Sequence, residues 1–98
     1  MTKKHIEEAE HLFQAILKLQ TIEECQAFFD DLCTIKEIQD LSQRFDVATM
    51  LDEGKNYQEI SRATGASTAT ISRVNRAYLY GSGGYGKILE KLNGETQS

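Results

Sequence analysis

The chain has 98 residues, of which 40% are apolar and none is proline or tryptophan, so it suffices for one compact domain and lacks the composition of a disordered chain. Its 11 Lys/Arg and 15 Asp/Glu give a net charge of −4, which by itself argues against a nucleic-acid binder. No apolar run is long enough to span a bilayer, and the start turns acidic where a signal peptide would turn apolar, so we expect a cytoplasmic protein with no membrane partner.

The charge is unevenly distributed along the chain. Residues 1–53 hold five Lys/Arg and twelve Asp/Glu, a balance of −7, whereas residues 54–98 hold six and three, a balance of +3. Such asymmetry between halves hints at contact with nucleic acid through the basic half. The alternative is that half of a small protein is basic by chance.

Helical spacing predicts two amphipathic helices within residues 1–33. The apolar face of the first consists of Ile6, Ala9, Leu12, Phe13, Ile16 and Leu17. Thr21 followed by Glu24 is a capping box that begins the second helix. We expect its buried face to hold Cys25, Phe28, Phe29 and Leu32. Both helices are apolar enough to need a partner surface, which predicts dimerisation through residues 1–33; the alternative is that they fold back on the third helix.

A second capping box, Thr34 with Glu37, begins a central helix over residues 34–54. Gly54 lies where a glycine that ends a helix belongs. One side of this helix is apolar and should face the core, through Ile38, Leu41, Phe45, Ala48 and Leu51.

Residues 55–79 have the pattern of a helix-turn-helix, in which two short helices cross around a tight turn. Tyr57 to Thr64 predicts the first helix, Gly65 supplies the positive φ of the turn, and Ser67 caps the second helix. The positions that must be apolar or small where the two helices meet are filled by Ile60, Ser61, Ile71 and Val74, with Tyr78 also inward.

Residues 80–93 predict a glycine-rich joint and a last short helix. The joint contains Gly81, Gly83, Gly84 and Gly86, the helix is marked by Ile88, Leu89 and Leu92, and Gly94 to Ser98 is expected to fray. The joint formally matches the dinucleotide-binding glycine motif, but no strand precedes it and no acidic residue follows at the required distance. We therefore predict a single all-α domain of about six helices over residues 1–98.

The outward face of the second helix of the helix-turn-helix is small or polar, as a helix that enters the major groove requires. The residues predicted to read bases are Thr68, Ala69, Thr70, Ser72 and Arg73. Gln58, Arg62 and Arg76 should hold phosphates, as should the helix N-terminus at Ser67. The alternative is an ordinary α-hairpin with a solvated Ser/Thr face, although Ser and Thr are mediocre helix formers.

Other kinds of site find little support in the sequence. His5 and His11 lie six residues apart and Cys25 and Cys33 eight apart, so neither pair gives neighbouring metal ligands on a helix. Both cysteines are expected in the core of a protein from a reducing compartment. The acidic residues of the first half form no catalytic cluster, and we expect no metal, no cofactor and no enzyme activity.

Residues 34–77 resemble the Trp repressor superfamily. The stretch from Gly65 to Arg73 is similar to the recognition element of that family, and Leu51 to Gly54 is similar to the end of its central helix. The segment Tyr80 to Tyr85 is more similar to the YerC/YecD group of Trp-repressor-like proteins. The resemblance implies an intertwined homodimer with one reading head per subunit, and operator half-sites about one helical turn, ~34 Å, apart.

The resemblance also implies a possible effector pocket, because two arginines of the family clamp its amino-acid corepressor. Their counterparts are Arg44 and Arg73, and Thr34 matches a further pocket residue. Val74 stands where the family has a glycine that leaves room for the indole, and Ala77 stands where it has a serine. This implies another amino-acid-like ligand or none in place of L-tryptophan. Arg44 has an equally simple alternative role, an ion pair with Asp40 or Asp46.

The sequence therefore predicts a DNA-binding transcriptional regulator, most simply a repressor, that reads double-stranded DNA as a homodimer. Two further hypotheses remain at this point. The acidic composition would suit a helical protein-interaction module that keeps the fold without binding an operator. A small-molecule effector could also be coupled to the DNA-binding activity.

Overall fold

The structure, a computed structural model, describes residues 7–97 and is all-helical over that range. Between Glu10 and Gln97 six helices follow one another: α1 (Glu10–Ile16), α2 (Ile22–Leu32), α3 (Ile35–Asp52), α4 (Tyr57–Thr64), α5 (Thr68–Tyr80) and α6 (Gly84–Gln97). The predicted roles of His5 and Ile6 fall outside the described residues. The chain divides into two compact units, Met1–Ile38 and Gln39–Ser98, with the boundary inside α3.

The first unit contains α1 and α2, and none of its described residues is buried. Leu17 is 82% exposed and Leu32 49%, while the rings of Phe28 and Phe29 are half-buried and pack edge to face with centroids 5.5 Å apart. The prediction of a buried face on α2 was therefore wrong for the single chain, and Cys25 is exposed rather than part of a core. Two helices of 7 and 11 residues are too small to enclose apolar side chains by themselves.

Both predicted N-caps form, but only the one at α3 is a reciprocal capping box. The Thr34 hydroxyl accepts from the Glu37 amide at 3.1 Å, and the Glu37 carboxylate accepts from the Thr34 amide at 2.8 Å. At α2 the Thr21 hydroxyl accepts from the Glu24 amide at 3.0 Å, but the Glu24 carboxylate accepts from Gln20, one residue before the cap. Each helix thus begins where the sequence predicted it.

The second unit is built around a core beneath the C-terminal half of α3. The buried side chains of this core come from α3, α4, the following turn and α5: Val47, Ala48, Ile60, Ala66, Ile71 and Val74. Helix α3 ends in a Schellman motif, in which the amides of Gly54 and Lys55 donate to the carbonyls of Leu51 and Met50, both at 3.0 Å. Gly54 has a φ of 82°, as its predicted role requires.

Helix α6 is longer than the sequence predicted, because Gly84 and Gly86 lie inside it and it continues past Gly94 to Gln97. The joint between α5 and α6 is therefore confined to residues 81–83. The ring of Tyr85 packs on that of Phe45 with centroids 6.5 Å apart, and Leu89 is 3% exposed. Packing against the second unit stabilises a helix that its three glycines disfavour locally.

Candidate nucleic-acid interface

The turn between α4 and α5 is held by side-chain hydrogen bonds as well as by its glycine. Gly65 has a φ of 75°, and its amide donates to the carbonyl of Ser61 at 2.8 Å. The Ser61 hydroxyl crosses the turn and donates to the carbonyl of Ala66 at 2.9 Å. The amide of Ala66 donates to the hydroxyl of Thr64 at 3.1 Å. These hydrogen bonds hold the end of α4 against the three-residue turn that leads to α5.

The N-terminus of each helix of the motif is capped. The Asn56 side chain accepts from the Glu59 amide at 2.9 Å in a reciprocal capping box before α4, which the sequence analysis did not identify. Ser67 caps α5 as predicted, since its hydroxyl accepts from the Thr70 amide at 3.1 Å. Beyond this cap Thr68 and Ala69 are exposed, so the start of α5 projects from the core with two small side chains.

Helix α5 has a buried face and an outward face. Ile71 is fully buried and Val74 is 2% exposed, which confirms that they seal the helix onto the core. On the outward face Arg73 and Arg76 are exposed and Ser72 is half-buried. Small side chains with two guanidinium groups can enter a major groove and donate to base acceptors.

Helix α4 extends this outward surface. Gln58 and Arg62 are exposed one turn apart, and together with Ser61 and Thr68 they line a shallow groove of about 490 Å³. Tyr57 lines the same groove and was not among the predicted residues. The structure thus brings the predicted phosphate-contacting side chains of α4 beside the start of α5.

Thr70 lies apart from the outward face to which the sequence assigned it. Its side chain is half-buried, its hydroxyl oxygen is 3.1 Å from that of Ser67, and it lines a small cavity between α3 and α5. Helical geometry explains this, because Thr70 lies about 100° from Ile71 on the side that faces α3.

The cavity behind Thr70 brings together the two arginines that the resemblance assigned to an effector pocket. Its volume is about 200 Å³, and Arg44 and Arg73 line it with Asp40, Gln43 and Thr70. Every lining side chain is polar or charged. Val74 instead belongs to the core, Ala77 is exposed, and Thr34 caps α3 in the first unit.

Two long-range hydrogen bonds fasten the helix-turn-helix to α3. The Gln43 side chain donates to the carbonyl of Thr64 at 3.1 Å, where α4 ends. The Tyr78 hydroxyl on α5 donates to the Asp52 carboxylate at 2.6 Å. This hydrogen bond raises the pKa of the Tyr78 phenol above its ordinary value, and burial and the negative charge of Asp52 add to the shift. No pattern of spacing in the sequence identifies Gln43 or Asp52, because both contacts join residues more than twenty positions apart.

Other kinds of site are not evident over residues 7–97. No group of three or more His, Cys, Asp or Glu side chains in that range could hold a metal ion. None of the helices described there combines the length and apolar character that a membrane crossing requires.

Comparison with known proteins assigns this arrangement to a class. A family profile of the Trp repressor protein matches residues 7–93. The uncharacterized protein YerC of Bacillus subtilis (strain 168) is 54% identical over 91 residues, which cover 93% of this chain and 86% of YerC.

Two crystal structures share the fold. A TrpR-like protein from Eubacterium eligens ATCC 27750 superimposes with a TM-score of 0.85 at 55% identity, over 89% of this chain and 90% of that one. A candidate Trp repressor from Staphylococcus aureus superimposes with a TM-score of 0.88 at 48% identity, over 95% of each chain.

The all-helical fold, the capped helix-turn-helix and these similarities together define the class of protein to which the chain belongs. The chain belongs to the Trp repressor family. Members of this family are regulators that bind DNA and are typically dimeric, and they are not enzymes.

Proposed function

We propose that the chain is a sequence-specific transcriptional repressor that reads the major groove of operator DNA as a homodimer. The observation that carries the proposal is the exposed surface formed by the first turns of α5 and by Gln58 and Arg62 of α4. Thr68, Ala69, Ser72 and Arg73 would contact bases there, and Arg76, Gln58 and Arg62 would contact phosphates. This activity implies a cytoplasmic location, where the operator DNA lies.

The homodimer is part of this proposal. Described apolar residues of the first unit are exposed, among them Leu17 and Ile22 at 82% and 73%, and a second copy would bury them. Two reading heads related by a twofold axis would recognise a pseudo-palindromic operator with half-sites about one helical turn, ~34 Å, apart.

We propose that no cofactor is required. The cavity beside Arg44 and Arg73 is smaller than the roughly 300–1,000 Å³ of most ligand pockets, and the five residues that line it are all polar or charged. An indole would meet a carboxylate, an amide and a hydroxyl there, so L-tryptophan is a poor ligand.

The test is selection of DNA from a random pool by the purified protein at two salt concentrations, with Arg73→Ala beside the wild type. We expect enrichment of a twofold-symmetric site that is tighter at low salt, and a loss of about 1–3 kcal/mol of specific binding in the variant. Arg76→Ala is the matched control, because a phosphate contact should weaken all sites alike. Enrichment of a symmetric site by wild type and Arg73→Ala alike would remove Arg73 from base recognition.

A helical protein-interaction module is the second candidate. It is favoured by the net charge of −4 and by the exposed apolar side chains of α1 and α2. Absence of salt-dependent DNA binding in the same selection would support it over the proposed repressor.

A further inference from the structure

The two long-range hydrogen bonds to α3 act on different parts of the helix-turn-helix. Gln43 holds the last carbonyl of α4, one residue before the turn at Gly65. Tyr78 holds the third turn of α5 to Asp52, at the end of α3. The two bonds thus restrain both helices of the motif relative to α3, one from a partly buried position and the other from an exposed one.

The core beneath the motif supports the same geometry. Ile60 of α4 and Ile71 of α5 are fully buried with Val47 of α3, and Val74 is 2% exposed. The branched side chain of Val74 packs in the core next to α3. The orientation of α5 is therefore fixed by packing and hydrogen bonds within the chain.

From these contacts we propose that the helix-turn-helix is preorganised by Gln43, Tyr78 and Val74, so that the protein binds its operator without a small-molecule corepressor. The inference rests on the proposed DNA-binding function and concerns its regulation. Gln43 and Tyr78 are positioning residues here: they act through the turn and through α5. If the helix-turn-helix is already ordered in the free protein, a small molecule cannot raise the operator affinity by ordering it.

The test compares operator binding by protein that has been unfolded, freed of small molecules and refolded, with and without a mixture of the protein amino acids that includes L-tryptophan. We expect the operator Kd to change by less than about twofold, against the roughly 5- to 150-fold of ordinary allosteric coupling. Operator binding that appears only with the amino acids would overturn the inference and leave the proposed function standing.

A second measurement uses the double variant Gln43→Met/Tyr78→Phe, which removes both hydrogen bonds while keeping side-chain volume. We expect its operator Kd to rise about tenfold. Hydrogen exchange at the amides of Gly65 and Ala66 should accelerate, while exchange at the amide of the buried Leu89 in α6 stays unchanged. Gln39→Met and Tyr80→Phe are matched controls, because both residues are exposed on the same two helices.

Hydrogen exchange distinguishes a failure of the proposed DNA-binding function from a failure of the preorganisation. If stripped and supplemented protein both fail to bind any selected DNA, the proposed function fails. Equal exchange rates at Gly65 and Ala66 in wild type and double variant would overturn the preorganisation itself, whatever the DNA result.

Discussion

Two exposed arginines on neighbouring helices are expected to contribute differently to DNA binding. Arg73 lies on the outward face of α5, where its fork of donors can meet a guanine, whereas Arg62 lines the groove at the side of α4. Base contacts discriminate between sequences, and phosphate contacts add affinity to every sequence.

Replacing Arg62 by Ala should therefore weaken all DNA sites by a similar factor and lower the salt dependence of binding by about one phosphate equivalent. Replacing Arg73 by Ala should relax the preference at one base pair of each half-site. Titrations of matched and mismatched operators at several salt concentrations measure both effects. A change of base preference in Arg62→Ala would show that α4 reads sequence.

The Tyr78–Asp52 hydrogen bond gives stability a pH dependence in the alkaline range. The folded state holds the phenol proton more tightly than the unfolded chain, so its pKa is raised. The stabilisation is therefore complete below the ordinary pKa of about 10, and it is lost as pH rises through the raised folded-state pKa.

We expect Tyr78→Phe to lower the free energy of unfolding by no more than about 0.5 kcal/mol at neutral pH, because the hydrogen bond is exposed to solvent. Above pH 10 or so the difference from wild type should shrink, since wild type then loses the same bond. Urea unfolding below and above that pH measures the difference, with Tyr80→Phe as the control. A difference that does not change with pH would mean that the Tyr78 hydroxyl does not stabilise the fold through its hydrogen bond to Asp52.

Helix boundaries were the part of the fold that the sequence predicted best, because they depend on local chemistry. Thr21, Thr34 and Ser67 all cap helices, and Gly54 and Gly65 both adopt positive φ. Asn56 was missed although it is a common capping residue followed by Glu59 three positions later. The N-terminal part of α6 was predicted to be a joint because its glycines disfavour a helix locally. The contacts that stabilise the helix form only in the folded unit and have no local pattern in the sequence.

The candidate site was predictable in its exposed parts and not in its buried ones. Arg62, Thr68 and Arg73 follow from the spacing of the helix-turn-helix. The inward turn of Thr70 and the contact of Gln43 with Thr64 depend on the position of α3, which no local pattern encodes. The same holds for the central helix. Its extent was predicted correctly from local pattern, but the burial of Val47 was not predicted.

Two glycine substitutions should have opposite effects on stability. Gly65 has a positive φ and an added Cβ would meet no atom within 4 Å, so Gly65→Ala costs only backbone strain, about 1–2 kcal/mol. Gly86 lies inside α6 with equally open space around a Cβ, so Gly86→Ala should stabilise by about 0.5–1 kcal/mol. Thermal unfolding of both variants checks this, and destabilisation by Gly86→Ala would indicate a contact outside the single chain.

At the scale of the whole molecule, the second unit has a core and the first does not. All seven buried hydrophobic residues lie between Val47 and Leu89, whereas α1 and α2 contribute none. An exposed apolar face of this kind favours association with a partner that covers it.

We therefore expect a species of twice the 11.1 kDa chain mass in light scattering, with a melting temperature that rises with protein concentration. Replacing Leu17 and Ile22 together by Glu should shift the population to the monomer, and the double variant Gln14→Glu/Gln26→Glu, at two exposed positions, is a control with the same charge change. A monomer in the wild type would remove the twofold symmetry expected of the operator.

The order of the exposed and buried residues along the chain has a consequence for biosynthesis. The ribosome completes the apolar face of α1 and α2 before it has made any residue of the core, so this face meets water and other nascent chains first. Four acidic residues are interspersed on α2 itself, namely Glu23, Glu24, Asp30 and Asp31. Charges placed beside an unavoidable apolar segment act as gatekeepers against aggregation, so we expect the negative charge of this half to limit aggregation of the nascent chain.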